Sequence, residues 1–294
     1  MRVLLIGSTG VLGREAVPRL AAAGHQVTGL ARNDGRVPAV RALGIEPVVA
    51  DVFDPDSLLP AMRGQDAVLN LATRIPVSAR TALRGMKDND HLRAEGSAAI
   101  VEAARASGDV RTIVQEGVSF MYADGGDTEL DETAPVDVPK LLQAVMTAHE
   151  NVAGFAGDGR TGVRLRIGLL VSGDPGTRML VAAARRGLPT LPGDDDGWTL
   201  VIHPSDAAAG AVAALDAPSG VYNVGANPIR RGQLRKVIAE VARVRRVRRL
   251  PQAFAVGPLS VLGRSQRVVS HKLADATGWR PARPTITAAW LRGE

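Results

Sequence analysis

The sequence has no cysteine. That excludes disulfides, thiolate nucleophiles, iron–sulfur ligation and every zinc motif that uses cysteine, and it agrees with a reducing compartment. Aromatic residues are scarce: three Trp, two Tyr and four Phe are too few to build the clustered rings on which single-stranded nucleic acid stacks. Lysine is rarer than arginine. Of 36 basic residues only Lys87, Lys140, Lys236 and Lys272 are lysines, and the general arginine bias reads as composition before it reads as a binding device. Long apolar runs are missing too. The first, Val3 to Ile6, stops at Gly7-Ser8, short of a secretory core, and none approaches the roughly 18 residues of a membrane-spanning helix. The chain therefore reads as a soluble, cytoplasmic protein. Five histidines (His25, His91, His149, His203 and His271) are too scattered for a metal signature, so no metal is expected.

What is present is ordinary globular composition, 45% apolar and 22% charged over 294 residues, enough chain for one large or two modest domains of about 150 residues. Short β-branched runs alternate with Ala-rich stretches of helical spacing, the pattern of βαβ units and a parallel sheet. Strands are expected at Arg2–Ile6, Gln26–Ala31, Glu46–Ala50, Ala67–Leu71, Arg111–Gln115 and Val163–Leu170. Helices are expected at Leu12–Ala23, where Pro18 should kink the element, and at Ser97–Ala106. After Leu170 the pattern changes. A Gly/Pro-rich stretch leads to helices at Thr177–Arg186 and Ser205–Leu215, a short strand Val221–Val224 and a helix Arg231–Val241. The fold class read here is α/β, a Rossmann-type doubly wound parallel sheet over residues 1–170. A smaller C-terminal substrate-binding lid follows over 171–294, with some elements returning to the first sheet.

The strongest local signal is Gly7-Ser8-Thr9-Gly10-Val11-Leu12-Gly13, placed directly between a strand and a helix. Exposed amides and the positive end of a helix dipole stabilise a pyrophosphate, but only where backbone can approach closely, which side chains at positions 7 and 10 would prevent. Gly13 lets the helix press on the sheet. A dinucleotide is the expected ligand, and a tight turn without ligand is the alternative.

The spacing G-x-x-G-x-x-G and its surroundings resemble the short-chain dehydrogenase/reductase superfamily, in its extended form that includes nucleotide-sugar epimerases and dehydratases. Ordered matches continue along most of the chain. They are Asp51-Val52 with Asp54 and Leu58, Asn70-Leu71-Ala72-Thr73, Glu132-Thr133-Ala134-Pro135, Leu165-Arg166-Ile167-Gly168, His203 to Ala207, Gly220 to Val224, and Gly278-Trp279-Arg280-Pro281. The resemblance implies an adenine contact at Asp51 and Val52, and a ribose and nicotinamide contact at Leu71, Ala72 and Thr73. After the second strand stand Arg32 and Asn33 in place of an acidic residue. An arginine there meets a 2′-phosphate, which favours NADP while leaving NAD compatible.

The resemblance also implies a Tyr, a Lys four residues later and a Ser at a strand end, which together pass a proton to the oxygen of the reacting centre. None of these is in place. Anchoring on Glu150 puts Leu142 at the Tyr position and Met146 at the Lys position; Gly117 and Val118 stand where the serines fall, and Arg93 where Asn is common. Tyr122 and Ser119 are the substitute catalytic candidates, with a loop anchor beneath the cofactor as the competing role for Tyr122. His149, three residues past Met146, is a conceivable base but reads first as a surface or capping histidine.

Three functions stay open. One is an NAD(P)-dependent oxidoreductase or epimerase-like enzyme acting on a small oxygenated metabolite, the second a catalytically silent cofactor-binding regulator or sensor, and the third a non-redox cyclase, lyase or isomerase. The basic run Arg230 to Arg249 has interleaved apolar residues and reads as an amphipathic helix entering a strand with its arginines on the wet face. This disfavours nucleic acid as partner. Asp194-Asp195-Asp196 reads as a solvated loop, with a flap over the substrate as the alternative. A homodimer is compatible with the sequence.

Overall fold

The computed structural model describes residues 1–74, 82–251 and 258–293. Seven strands form one sheet: β1 (Arg2–Ile6), β2 (Gln26–Ala31), β3 (Glu46–Val49), β4 (Ala67–Asn70), β5 (Thr112–Gln115), β6 (Thr161–Ile167) and β7 (Gly220–Val224). All neighbours pair in parallel, in the order β3-β2-β1-β4-β5-β6-β7. The order reverses between β1 and β4. In open α/β sheets the crevice at such a reversal, outside the carboxyl ends of the strands, is where ligands bind.

Up to β6 the chain forms α1 (Val11–Ala22), α2 (Val37–Arg41), α3 (Pro55–Met62), α4 (Ala82–Ser107) and α5 (Gln143–Phe155). Beyond it follow α6 (Pro175–Arg185), α7 (Pro204–Ala213), α8 (Arg231–Ala242), α9 (Pro258–Val261), α10 (His271–Thr277) and α11 (Ala288–Arg292). Strand alternation divides the core. Val3 and Leu5 face α1 and α7 together with Leu12, Leu20 and Val212, whereas Leu4 and Ile6 face α3, α4 and α5 with Leu58, Ile100 and Phe155. A third cluster packs α6, α8 and α11 through Val181, Ile238 and Trp290.

Several expectations change on inspection. The helix α1 runs through Pro18, because Pro18 and Arg14 both lie on its exposed face, where the carbonyl deprived of a donor meets water. The strand read as Val163–Leu170 ends at Ile167. Gly168 turns the chain, and Leu169–Leu170 pairs separately with Val201–Ile202. The helix read from Ser97 begins at Ala82, since its first half buries polar Asn89 and Arg93, residues that hydrophobic periodicity counts as solvent-facing. The helix α8 stops at Ala242 because Arg243 adopts a left-handed conformation (φ 54°), so the basic stretch beyond it does not continue as a helix.

Candidate active site

The glycine turn is built as a close-packed corner. Gly7 has φ +87°, and a Cβ placed on it would lie 2.7 Å from the Ala72 amide nitrogen at the end of β4. A Cβ on Gly13 would overlap the Gly7 carbonyl and sit 2.6 Å from Ser8 Cα. Gly10 is the N-cap of α1; no side chain caps the helix and its first turn holds no acidic residue. Its amide donates to the Gly7 carbonyl (3.0 Å), and the Arg14 side chain folds back to donate to the Thr9 carbonyl (2.9 Å). Gly10 and Val11 are exposed, Gly7 and Thr9 half-buried, Ser8 and Leu12 buried. An uncapped helix start with Gly10 and Val11 exposed suits an anionic group, so the residues present fit a dinucleotide.

The other predicted cofactor residues gather along the same edge of the sheet. Arg32 and Asn33 follow β2 and are exposed, and Arg32 has no carboxylate partner among the described residues. Asp51 follows β3; its amide donates to Ser57 Oγ (3.0 Å) and its Oδ1 accepts the Phe53 amide (3.0 Å), while Val52 is buried. After β4, Leu71 is buried, Ala72 half-buried and Thr73 exposed. A chain of amides holds this strand end: Asn70 Oδ1 accepts the Ala72 amide (3.2 Å), Asn70 Nδ2 donates to Gln115 Oε1 (2.8 Å), and Gln115 Nε2 donates to the Glu116 carbonyl (3.0 Å).

The three residues that the sequence reading aligns with the family's relay fall in a single apolar cluster. Val118, Leu142 and Met146 pack with Met121, Val145, Phe120, Val138 and Val261. Val118, Phe120 and Met146 are its half-exposed members near the carboxyl end of β5. Gly117 has no room for a side chain: a Cβ there would lie 2.6 Å from the Leu165 carbonyl and closer still to His149 Nε2.

Neither catalytic candidate is open to solvent. Tyr122 is 0% exposed, and its hydroxyl donates to Asn223 Oδ1 (2.7 Å) beneath the Arg166 guanidinium, 4.8 Å from the ring centre. Burial pushes its phenol pKa up, opposed by Arg166. Ser119 is 1% exposed and opens the short helical turn Ser119–Met121. Glu132 accepts the Asn223 amide (2.7 Å), and burial raises its carboxyl pKa. His149 does not lie on the surface, where its sequence context would put it. It is 4% exposed with Nε2 unpartnered among the described residues, and its pKa is lowered to about 3 by burial first, then by Arg166, Arg164 and Arg93.

Two features escape a reading of the sequence. Arg93 and Glu116 form a buried two-point ion pair (2.9 and 3.0 Å) beside the amide chain of β4 and β5. The sequence marks Arg93 only as a departure from the family pattern, and nothing in it pairs this arginine with a residue on another element. Arg231 and Arg235 lie inside rather than on a wet face: Arg231 donates to the Asp194 (2.8 Å) and Arg264 (2.6 Å) carbonyls, and Arg235 to the Leu191 carbonyl (2.8 Å) and the Asp195 carboxylate. The acidic loop is thus held from below while its carboxylates stay exposed. Among the described residues there is no group of side chains that could hold a metal, and no helix long and apolar enough to cross a membrane.

Residues 7–156 match the family described as NAD(P)H-binding. The chain belongs to this NAD(P)H-binding family. A relative from a Streptomyces species, 3-diazoavenalumate denitrifying reductase, is 32% identical and aligns over 97% of this chain and 97% of its own. Among solved structures, the human epimerase family protein SDR39U1 (isoform 2) with NADPH is similar at a TM-score of 0.79 and 23% identity, covering 99% of this chain and 98% of that one. The complex of UDP-glucose 4-epimerase from Thermus thermophilus with NAD gives 0.74 and 23%, covering 100% and 97%. The NAD(P)H-binding family and the epimerase fold bear out the likeness to extended short-chain dehydrogenases/reductases read from the sequence.

Proposed function

We propose that this NAD(P)H-binding protein is a reductase that uses NADPH and has no Tyr–Lys proton relay. One observation carries the reading. In a chain whose glycine turn suits a dinucleotide pyrophosphate, the three residues that the sequence aligns with the relay, Val118, Leu142 and Met146, pack into one apolar cluster. Gly7 to Gly13 hold the pyrophosphate, Asp51 and Val52 the adenine side, and Leu71 to Thr73 the nicotinamide side. When bound, the cofactor supplies hydride. Tyr122 serves as an anchor that ties its loop to β7 through Asn223, and Ser119 shapes the turn beside it. The reductase named for a diazo compound matches this chain from end to end, which supports a small diazo-bearing metabolite as substrate.

Arg32 supports NADPH over NADH: exposed and unpaired with any described carboxylate, it can pair with a 2′-phosphate in a charge-assisted hydrogen bond. Titration of NADPH and NADH followed by nicotinamide fluorescence tests this. NADPH is expected to bind more tightly, and Arg32→Ala to reduce the preference by about tenfold. Equal affinities in the unaltered protein would defeat the NADP assignment. Tight binding with no NADPH oxidation across a panel of diazo and carbonyl compounds would defeat the reductase and leave the sensor and the non-redox enzyme.

A further inference from the structure

The positive charge of this chain is unevenly spread. Residues 175–190 and 241–251 hold eight arginines and no carboxylate; the whole chain stands at +6, which leaves the remaining residues together at −2. The fold lays these two segments side by side. The Thr190 amide donates to the Arg248 carbonyl (3.1 Å) and the Leu250 amide to the Leu191 carbonyl (3.3 Å), while Arg248 Nη1 reaches the Gly187 carbonyl (3.3 Å) and Arg185 Nη2 the Val241 carbonyl (3.2 Å). Beneath this seam Val181, Ala184, Val244 and Val247 enter the third core cluster, which turns the arginines between them outward. All eight arginines are exposed; Arg249 pairs with Asp194, and the other seven have no carboxylate partner among the described residues. Two large apolar side chains stand in the same surface. Leu188 is 52% and Met179 48% exposed, more than any other large apolar residue described. Met179 and Arg186 lie seven residues apart on one side of α6 and its C-cap, and Leu188 follows in the turn beyond.

We infer that this surface docks on a bilayer of anionic phospholipid, with the arginines at the headgroup phosphates and Leu188 at the boundary with the acyl chains. Each guanidinium offers phosphate a planar fork of donors, and each basic residue held near an anionic leaflet tightens binding by about fivefold. Charge alone would serve any polyanion. Leu188 and Met179 decide between them, because an apolar tip set among cations gains only where hydrocarbon lies behind the phosphates. Nucleic acid has no such layer, and the two segments hold no aromatic residue on which a base could stack. Contact of this kind needs no spanning helix, and it is independent of the cofactor and of the chemistry at the carboxyl ends of the strands.

The test is co-sedimentation of the full chain with phosphatidylcholine vesicles containing about 30% phosphatidylglycerol, and with phosphatidylcholine alone, at about 0.1 M salt. Binding to the anionic vesicles is expected to be at least about tenfold tighter than to the neutral ones, and to be lost at about 1 M salt. Arg245→Ala combined with Arg246→Ala should weaken it by about tenfold or more, and Leu188→Ser by about fivefold, with circular dichroism unchanged in each. The pair Arg41→Ala and Arg63→Ala, both exposed in the first half of the chain, removes the same charge and should alter binding by less than about twofold. No binding to anionic vesicles, or an equal loss in the Arg41 and Arg63 pair, overturns the docking surface. Binding that Leu188→Ser leaves unchanged, or that is equally tight to duplex DNA at the same phosphate concentration, overturns the lipid as its partner.

Discussion

Gly13 and Gly10 look equivalent in the motif but differ in what surrounds them. A methyl group at position 13 collides with the backbone of Gly7 and Ser8, whereas at position 10 its nearest neighbour is the Gly7 carbonyl at 3.2 Å. Backbone cannot move aside as a side-chain tip can, so Gly13→Ala should cost about 1–3 kcal/mol in denaturant unfolding and Gly10→Ala less than half of that. Equal losses would show that the corner is looser than its geometry. His149 makes a prediction of opposite character, one in pH. Its folded-state pKa of about 3 lies below the ordinary 6.5, so as pH falls the unfolded chain takes up the proton first. Its share of stability is intact above about pH 6.5 and is lost progressively toward pH 3, at up to about 1.4 kcal/mol per pH unit. Between about pH 6 and 5 the unaltered protein should therefore lose roughly 1 kcal/mol more in urea unfolding than His149→Leu; parallel curves would mean the imidazole is not the buried neutral group described.

At the scale of elements, legibility follows burial pattern. β1 and β2 were readable to the residue because Val3–Ile6 and Leu30-Ala31 are buried β-branched or aliphatic runs bounded by turn glycines. The first half of α4 was not, because its inward face carries Asn89 and Arg93, whose partners Arg74 and Glu116 come from loops at other strand ends. The cofactor corner was legible because glycine spacing is itself backbone geometry; the fate of Tyr122 was not, because Asn223 is supplied about a hundred residues later. Arg231 follows the same rule. Its guanidinium spans the Asp194, Trp198 and Arg264 carbonyls, and Gly193 and Gly197 leave it room. Arg231→Met strands these acceptors around an apolar tip, an expected loss of about 2–4 kcal/mol, with faster hydrogen exchange over residues 191–198. Arg231→Lys should recover less than half, since an ammonium cannot reproduce the planar fork. Full rescue by lysine would show that charge alone matters there.

For the whole molecule, the decisive feature is that the chain beyond residue 170 completes the first core. Hydrophobic patterning places a boundary near that point, where the Gly/Pro-rich stretch begins, and it carries no information on which later segments return. β7 pairs along its own full length with Val163–Ile167 of β6, and α7 lies against α1. The cluster under the glycine-turn helix draws Val212, Leu215, Tyr222, Val224, Leu273 and Trp279 from this later chain, each at most 8% exposed. Removing residues 171–294 would uncover their partners Leu12, Val17, Leu20, Val163 and Leu165 at once. At about 1.5–3 kcal/mol per large apolar side chain, losing half a dozen such contacts takes away as much as the 5–15 kcal/mol by which a typical domain is stable at all. A fragment of residues 1–170 is therefore expected to be insoluble or unfolded by circular dichroism and to leave NADPH fluorescence unchanged, although it carries every proposed cofactor contact. A fragment ending after α10, at residue 279, keeps this core and should regain helical signal and NADPH binding. A folded, NADPH-binding 1–170 fragment would show that the later strands and helices only decorate a nucleotide-binding unit that is stable without them.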